Sequence, residues 1–408
     1  MLKIAIIGCG PAGLSAAIAL HDKGHAVSVF ERFEQAGPVG SGLMLQPTGL
    51  TVLDRFGLRD EVEAIGQRIN GMLGRIAPNG KIVLDIEYAV LSSEMYGVAI
   101  HRAALFHVLF EAVVSRSIPV HVDCEIDNFL SRPDHIQLIR ANGEFIGEHY
   151  DLVVDASGRQ SKLLTRVNVP PSSRPLGYGA LWATVEHDST RFDDFLLEQR
   201  YQAANIMVGI LPCGRLPSET QSVATFFWSL KNDSFQALIE AGIDRWKEDV
   251  TRCWPAVESL LSQINHFDDL AYARYSHHTL RIPYGDRLVF IGDAAHSTSP
   301  QLGQGANMAL LDSYALAQAL DSDLNTSHSL QQSLVNYAKI RRTHVRLYQA
   351  ASYTLTPFYQ SDSNLLPWLR DMLFEPASKL PFASKIVTSL GAGLLASPVK
   401  RIEKMQGP

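Results

Sequence analysis

KIAIIGCGPAGLSAAIALHDKGHAVSVFER, residues 3–32, decides the fold. KIAIIG (3–8) is a short β-branched apolar run, the pattern of a strand buried on both faces. The turn Gly8-Cys9-Gly10-Pro11-Ala12-Gly13 follows, and then LSAAIALHDKG, an apolar helix ending at Gly24. HAVSVFER reads as a second strand that delivers Glu31, about 20 residues beyond the glycines. Each glycine has a physical task. Gly8 permits the tight turn, Gly10 lets the backbone approach a pyrophosphate, and Gly13 lets the helix pack close to the strand. The helix start at Pro11 and Ala12 supplies N–H groups and a positive dipole end for phosphate. Glu31 is placed to accept hydrogen bonds from an adenosine ribose. Arg32 reads either as a phosphate ligand or, more simply, as a solvated arginine, and Cys9 as a small residue in a crowded turn. The order strand, Gly-x-Gly-x-x-Gly, helix, strand, acid specifies a dinucleotide site and leaves NAD and FAD both open.

The second informative stretch is DRLVFIGDAAHSTSPQLGQGANMALLDS, residues 286–313. LVFIG is another buried strand and delivers Asp293 at its C-terminal end. Pro300 and Gly303-Gln304-Gly305-Ala306-Asn307 lead into a helix that is apolar nearly all round, and such a helix is buried. Its N-terminus is therefore aimed at something inside the protein. Gly303 and Gly305 would let backbone N–H groups touch a flat, partly anionic ring, whose charge a helix start stabilises. Asp293 either caps this region or hydrogen-bonds a polyol.

The bulk composition sets limits on function. At 408 residues, two subdomains are the natural expectation. A hydrophobic share of 46% with 19% charged residues describes a globular chain. A net charge of −6 gives no electrostatic footprint for nucleic acid. Cys9, Cys124, Cys213 and Cys253 are scattered, without metal-ligand spacing, as reduced thiols of a cytoplasmic protein would be. Three glycines and a proline interrupt the apolar start, which argues against a signal peptide. No stretch reaches the roughly 18 apolar residues of a membrane span.

Together these segments resemble the single-component (group A) flavoprotein monooxygenases, the family typified by para-hydroxybenzoate hydroxylase. GPVGSGLMLQPTGLTVLDRFGL (37–58) is similar to their segment after the second strand, and HRAALFHVLFEAV (101–113) to their helix opening with an arginine. The resemblance implies FAD, with Gly8, Gly10, Pro11, Ala12, Gly13, Glu31 and Arg32 around its adenosine diphosphate half. It also implies Arg102 near the pyrophosphate and Asp293 at the ribityl or pyrophosphate region. Pro300 with Gly303, Gln304, Gly305, Ala306 and Asn307 would line the isoalloxazine ring. The implied reaction inserts one oxygen atom of O2 into an aromatic or other electron-rich hydrophobic substrate through a flavin C4a-hydroperoxide. NADPH or NADH is the implied co-substrate. No catalytic triad is required, and no catalytic side chain is assigned; His296 reads as structural or solvated. On the substrate side, Met44 and Gln46 alternate on a strand that the family places near the ring. Trp182, Met207 and Phe227 lie on sheet-like runs. Ordinary core packing is the alternative for all five.

One segment departs from the family pattern. DLVVDASGRQSKLLTR (151–166) carries Ser157 where an aspartate that engages both FAD and NADPH is usual, and Leu164 where an arginine is usual. This form is similar to members fed with reduced flavin by a partner, and to some halogenases and reductases. A partner-fed epoxidase or halogenase, or a lipid reductase, is therefore one rival. A non-catalytic FAD-binding redox protein is another. None of the five tryptophans forms the Trp-x-Trp of tryptophan halogenases.

The expected architecture is α/β: a Rossmann-like FAD-binding domain, an inserted β-sheet substrate domain and a C-terminal helical segment. The cofactor domain is discontinuous, over 1–72, 97–170 and 275–345. The substrate domain takes 73–96, with a strand pair turned at Pro78-Asn79-Gly80, and 171–274, with GYGALWATVEH, YQAANIMVGILP and QSVATFFWSLK as strands. The tail, 346–408, is helical in pattern and broken by Pro357, Pro367, Pro376, Pro381 and Pro398. It resembles the tail of the ubiquinone-biosynthesis hydroxylases. A lid or a homodimer contact is favoured for it over a peripheral membrane contact.

Overall fold

The computed structural model describes residues 1–35, 37, 41–78, 80–167, 171–324, 329–378 and 380–399. Asn79 of the expected turn, residues 38–40 of the segment 37–58, and the tail 400–408 lie outside them.

The opening run forms the strand Lys3–Ile7 at the centre of a six-stranded sheet. Its order is Tyr284–Gly285, Leu288–Phe290, Leu152–Asp155, Lys3–Ile7, Ala26–Phe30, Val120–His121. All neighbours are parallel except the short first pair. The apolar run is continuous because both faces are covered. Ile4 and Ile6 pack into a helical cluster with Leu14, Leu109 and Leu311, while Ala5 and Ile7 pack the other way, against Phe129 and Leu138 of a three-stranded meander. The helices Pro11–Asp22 and Gly305–Leu324 lie side by side, and the buried hydroxyls of Ser15 and Ser313 meet at 2.7 Å between them. Such close approach needs small residues.

A second, seven-stranded sheet runs Ala271–Thr279, Ser172–Glu186, Ser222–Lys231, Ile206–Arg215, Leu196–Gln202, Gly71–Ile76, Ile82–Glu87. It is antiparallel except where Leu196–Gln202 lies beside Gly71–Ile76. Side chains alternate between its faces, as the strand period requires. Leu181, Ala183 and Val185 face a cluster with Trp246 and Val250, on the helix Ile243–Cys253. Trp182, Met207, Phe227 and Tyr201 face the opposite way. YQAANIMVGILP is not one strand: it contains the end of Leu196–Gln202, a turn with Ala203 at φ 51°, and the start of Ile206–Arg215.

The chain finishes in the helices Leu330–Tyr359, Leu365–Ser378 and Pro381–Gly391. The last two lie against the strand Ile82–Glu87 at the edge of the seven-stranded sheet. No helix among the described residues is long and apolar enough to cross a membrane.

Candidate active site

The first glycine turn is built as its residue types demand. Gly8 has φ 101°, and a Cβ there would meet the Ala156 carbonyl oxygen at 2.7 Å. A Cβ at Gly13 would come within 1.9 Å of the Gly8 oxygen. At Gly10 it would meet nothing within 4 Å, so this glycine faces open space at the start of the helix Pro11–Asp22. The Glu31 carboxylate sits at the rim of the same turn. It accepts the Cys9 N–H at 2.8 Å through one oxygen and the Phe33 N–H at 3.2 Å through the other. Burial and the Glu31 charge push the Cys9 thiol up to about 12, so this cysteine is inert. Arg32 is exposed, with its guanidinium 4.7 Å from the Phe33 ring centre.

The second loop enters from the neighbouring strand, Leu288–Phe290. Asp293 opens a one-turn helix whose N-cap, Gly292, has no side chain to cap it with. The Asp293 side chain is exposed and has no hydrogen-bond partner among the described residues, so the capping alternative is not what the structure contains. After the turn Pro300–Leu302, Gly303 adopts a left-handed φ of 60° and the helix Gly305–Leu324 begins. A Cβ at Gly305 would also meet only open space. Pro300 is exposed and Ala306 half-buried beside it.

Gln304 and Asn307 turn their side chains away from this opening. Gln304 Nε2 donates to the Gly391 carbonyl at 2.7 Å, under the C-terminal helices. Asn307 accepts the Gln46 N–H at 2.8 Å and donates to the carbonyls of Met44 and Gly303. It thereby ties the strand Gly42–Leu45 to the loop, leaving backbone at Gly303–Gly305 to face the opening. Gln46 is buried beside it: its Oε1 accepts from Tyr88, and its Nε2 has no partner among the described residues. Arg102, exposed at the start of the helix Arg102–Ser115, lies close enough to influence Tyr275.

Behind the second loop is a charged brace that sequence reasoning missed. Asp312 is fully buried and accepts from the His296 ring at 2.6 Å, the Gly292 N–H at 2.8 Å and Arg341 Nε at 2.6 Å. Burial opposes its ionisation, yet His296 and Arg341 hold the carboxyl down at about 2. His296 is therefore structural. Burial lowers the neighbouring His344 to about 3, and the Arg341 charge acts in the same direction. Ser157 is also occupied: its hydroxyl donates to the buried Asp155 carboxylate at 2.6 Å, which Ser161 approaches from the other side.

Trp182, Met207 and Phe227 share one face of the seven-stranded sheet with Tyr201 and Tyr359. The Trp182 ring lies 4.9 Å from that of Phe227, and its Nε1 donates to the Tyr275 hydroxyl at 2.8 Å. Met44 belongs to an adjoining cluster with Leu211 and Cys213, and Leu197 touches both groups. Arg370 adjoins this wall, fully buried, paired with Asp371 and lying over the rings of Tyr201 and Tyr359 at 5.0 and 5.3 Å. Tyr201, Tyr275, Tyr359 and Arg370 carried no sequence motif.

Two helix starts with glycines open to space, the Glu31 carboxylate beside the first and an exposed Asp293 on the second loop fit FAD. No cluster of metal-ligating side chains occurs among the described residues.

Comparison with known proteins points the same way. The family model described as FAD binding domain matches residues 1–351. 3-Amino-4-hydroxybenzoate 2-monooxygenase of Streptomyces cremeus is 26% identical, with 79% of each chain covered. 2-Heptyl-3-hydroxy-4(1H)-quinolone synthase of Pseudomonas aeruginosa is 25% identical over 96% of this chain and 99% of its own. The Klebsiella pneumoniae HpxO structure, solved with FAD and uric acid, shares the fold at a TM-score of 0.80 and 20% identity, covering 97% of this chain and 98% of that one. The chain belongs to the FAD binding domain family and is an FAD-dependent monooxygenase.

Proposed function

We propose that the enzyme hydroxylates a neutral, electron-rich aromatic ring carrying apolar substituents, with NADPH or NADH as direct reductant. The observation that carries this reading is the wall formed by Trp182, Met207, Phe227, Tyr201 and Tyr359. Its neighbouring buried cation, Arg370, is already met by Asp371 and two aromatic rings. An aromatic carboxylate placed there would lose its hydration without gaining an unpaired cation, which is costly. The near full-length likeness to a 2-heptyl-3-hydroxy-4(1H)-quinolone synthase supports the same substrate class.

Bound FAD supplies the activation of O2 and the transfer of one oxygen atom. The chain's own residues do the rest. Gly10, Glu31 and the start of the helix Pro11–Asp22 hold the adenosine diphosphate half, and Asp293 accepts hydrogen bonds from the polyol. The start of the helix Gly305–Leu324 offers N–H groups and its dipole to negative charge on the ring system. The aromatic wall excludes water and fixes the substrate ring.

The test is anaerobic mixing of FAD-loaded protein with NADPH and with NADH, following loss of the visible flavin band. Each is run with neutral alkylquinolones and naphthols, and with benzoates. Acceleration by the neutral compounds, with one labelled oxygen atom from O2 in the product, is expected. Preferential acceleration by benzoates would sink the substrate class. Bleaching by dithionite but by neither nicotinamide would replace direct reduction with a partner reductase.

A further inference from the structure

The helix Leu365–Ser378 is used on two sides. Inward, Arg370 lies over the rings of Tyr201 and Tyr359, and the Phe374 ring stands 5.3 Å from Phe358, beside the aromatic wall. Outward, Leu365, Trp368 and Met372 recur at helical spacing with Leu373 beside them. All four are exposed, Leu365 at 61% and Trp368 at 57%. The helix Pro381–Gly391 repeats the arrangement: Thr388 and Gly391 are buried, whereas Phe382, 78% exposed, stands outside with Ile386 and Val387. Both helices lie against the strand Ile82–Glu87, so their outer stripes face away from the body together. A surface helix ordinarily turns polar residues to water. Among the described residues, half of the large apolar side chains that are exposed fall within 365–387, and such a concentration marks a contact surface.

Charge narrows what covers this surface. Residues 365–408 hold six lysines and arginines against three acids, while the whole chain stands at −6. Lys385 is exposed within the outer stripe, between Phe382 and Ile386, and Asp371 is turned onto the buried Arg370. A second copy docked about a two-fold axis would bring Lys385 against the same basic surface of its partner. An anionic bilayer instead accepts tryptophan and phenylalanine rings at headgroup depth, with a lysine beside them. At 14 and 11 residues, the two helices are too short to span a bilayer and suit lying along it.

We propose that the outer face of the helices Leu365–Ser378 and Pro381–Gly391 docks on the headgroup region of an anionic lipid bilayer. Trp368 and Phe382 are its anchors, and Lys385 meets lipid phosphate. The sequence favours a lid or a dimer contact for this tail; the inner stripe has the place of a lid, and the outer stripe is left for the bilayer. An apolar substrate dissolved in the membrane would then meet the protein across one helix from the aromatic wall. That consequence alone rests on the substrate class proposed above; the docking itself does not.

The test is flotation of the FAD-loaded full chain with vesicles of phosphatidylcholine alone, and of equal parts phosphatidylcholine and phosphatidylglycerol. Wild type should float with the anionic vesicles, far less with the neutral ones, and come off as salt is raised. Trp368→Asn and Phe382→Asn should each lower partitioning roughly tenfold, and the double variant further. Lys385→Glu should weaken flotation on anionic vesicles only. Phe145→Asn, at an exposed ring on the strand Phe145–Tyr150, should float as wild type does. Flavin content and melting temperature should hold in every variant, because the altered side chains are exposed. Lipids brominated on their acyl chains should quench tryptophan emission in wild type. Trp368→Phe should keep flotation and lose that quenching. Absence of flotation, equal flotation on both vesicles, or wild-type flotation of the double variant overturns the proposal. So does quenching that survives Trp368→Phe. Sedimentation showing a wild-type dimer that the double variant separates, without flotation, overturns it in favour of a second copy of the chain.

Discussion

Asp312 lies 2.6 Å from His296 across the loop that carries Asp293, and the same carboxylate takes the Gly292 N–H. With Arg341 reaching in from the long helix, this brace sets the backbone of the second cofactor loop before any ligand arrives. Asp312→Asn leaves Arg341 buried without its carboxylate and should cost on the order of 3–5 kcal/mol. Retention of FAD should weaken in parallel. Urea unfolding with and without added FAD measures both effects.

The two buried aspartates should respond to pH in opposite senses. Asp312 titrates at about 2 when folded, against 3.8 ordinarily, so it stabilises the protein above pH ~4 and loses that contribution, about 2 kcal/mol, as pH falls toward 2. Asp155 is raised: burial outweighs the neutral donors Ser157 and Ser161. Its cost is absent at acid pH and grows as pH rises from the unfolded value toward the folded one. Asp155→Asn should therefore gain relative stability at pH 7 compared with pH 4, and Asp312→Asn should flatten the acid limb. Unfolding curves across that range decide both.

Gly10 and Gly13 separate binding from folding. Gly10→Val adds side chain where nothing stands within 4 Å, on ordinary extended backbone at φ −80°. Apoprotein stability should move by no more than about 0.5 kcal/mol while the FAD dissociation constant rises at least about tenfold. Gly13→Ala forces a Cβ onto the Gly8 carbonyl and should unfold or severely destabilise the apoprotein itself. Thermal melts paired with flavin titration would expose any failure of this contrast.

Phe227→Leu should uncouple the enzyme. The ring it loses packs on Trp182, whose own orientation depends on Tyr275. A stability loss of about 1 kcal/mol is expected, with nicotinamide oxidation continuing and hydrogen peroxide replacing hydroxylated product. Product and peroxide per nicotinamide consumed are the readouts, and unchanged ratios would count against this wall as the substrate boundary.

The readable parts were those where one local pattern has one physical solution. The run 3–8 needs cover on both faces, and Gly8 and Gly13 need approaches that a Cβ would block. The loop before Gly305 was legible for the same reason. The helix Ile243–Cys253 was not called within 171–274. Its signal, Trp246, Val250 and Cys253 at helical spacing, is outweighed by the β-branched runs on either side. Arg341 and Asp312 carry no shared motif, because their pairing depends on how two helices cross. Gln304 and Asn307 were expected toward the flavin ring; their amides are instead turned onto Gly391 and Met44, a choice that depends on neighbours distant in sequence.

The parallel pairing of Gly71–Ile76 with Leu196–Gln202 bears on how the molecule comes into being. Ile82–Glu87 and Gly71–Ile76 leave the ribosome early as a two-stranded hairpin, a unit with little stability of its own. Its sheet neighbour, Leu196–Gln202, is synthesised far later, so the nascent chain carries an unpaired, partly apolar edge throughout that interval. Translation that stalls before residue 196 would strand this edge, and chaperone dependence during synthesis should concentrate there.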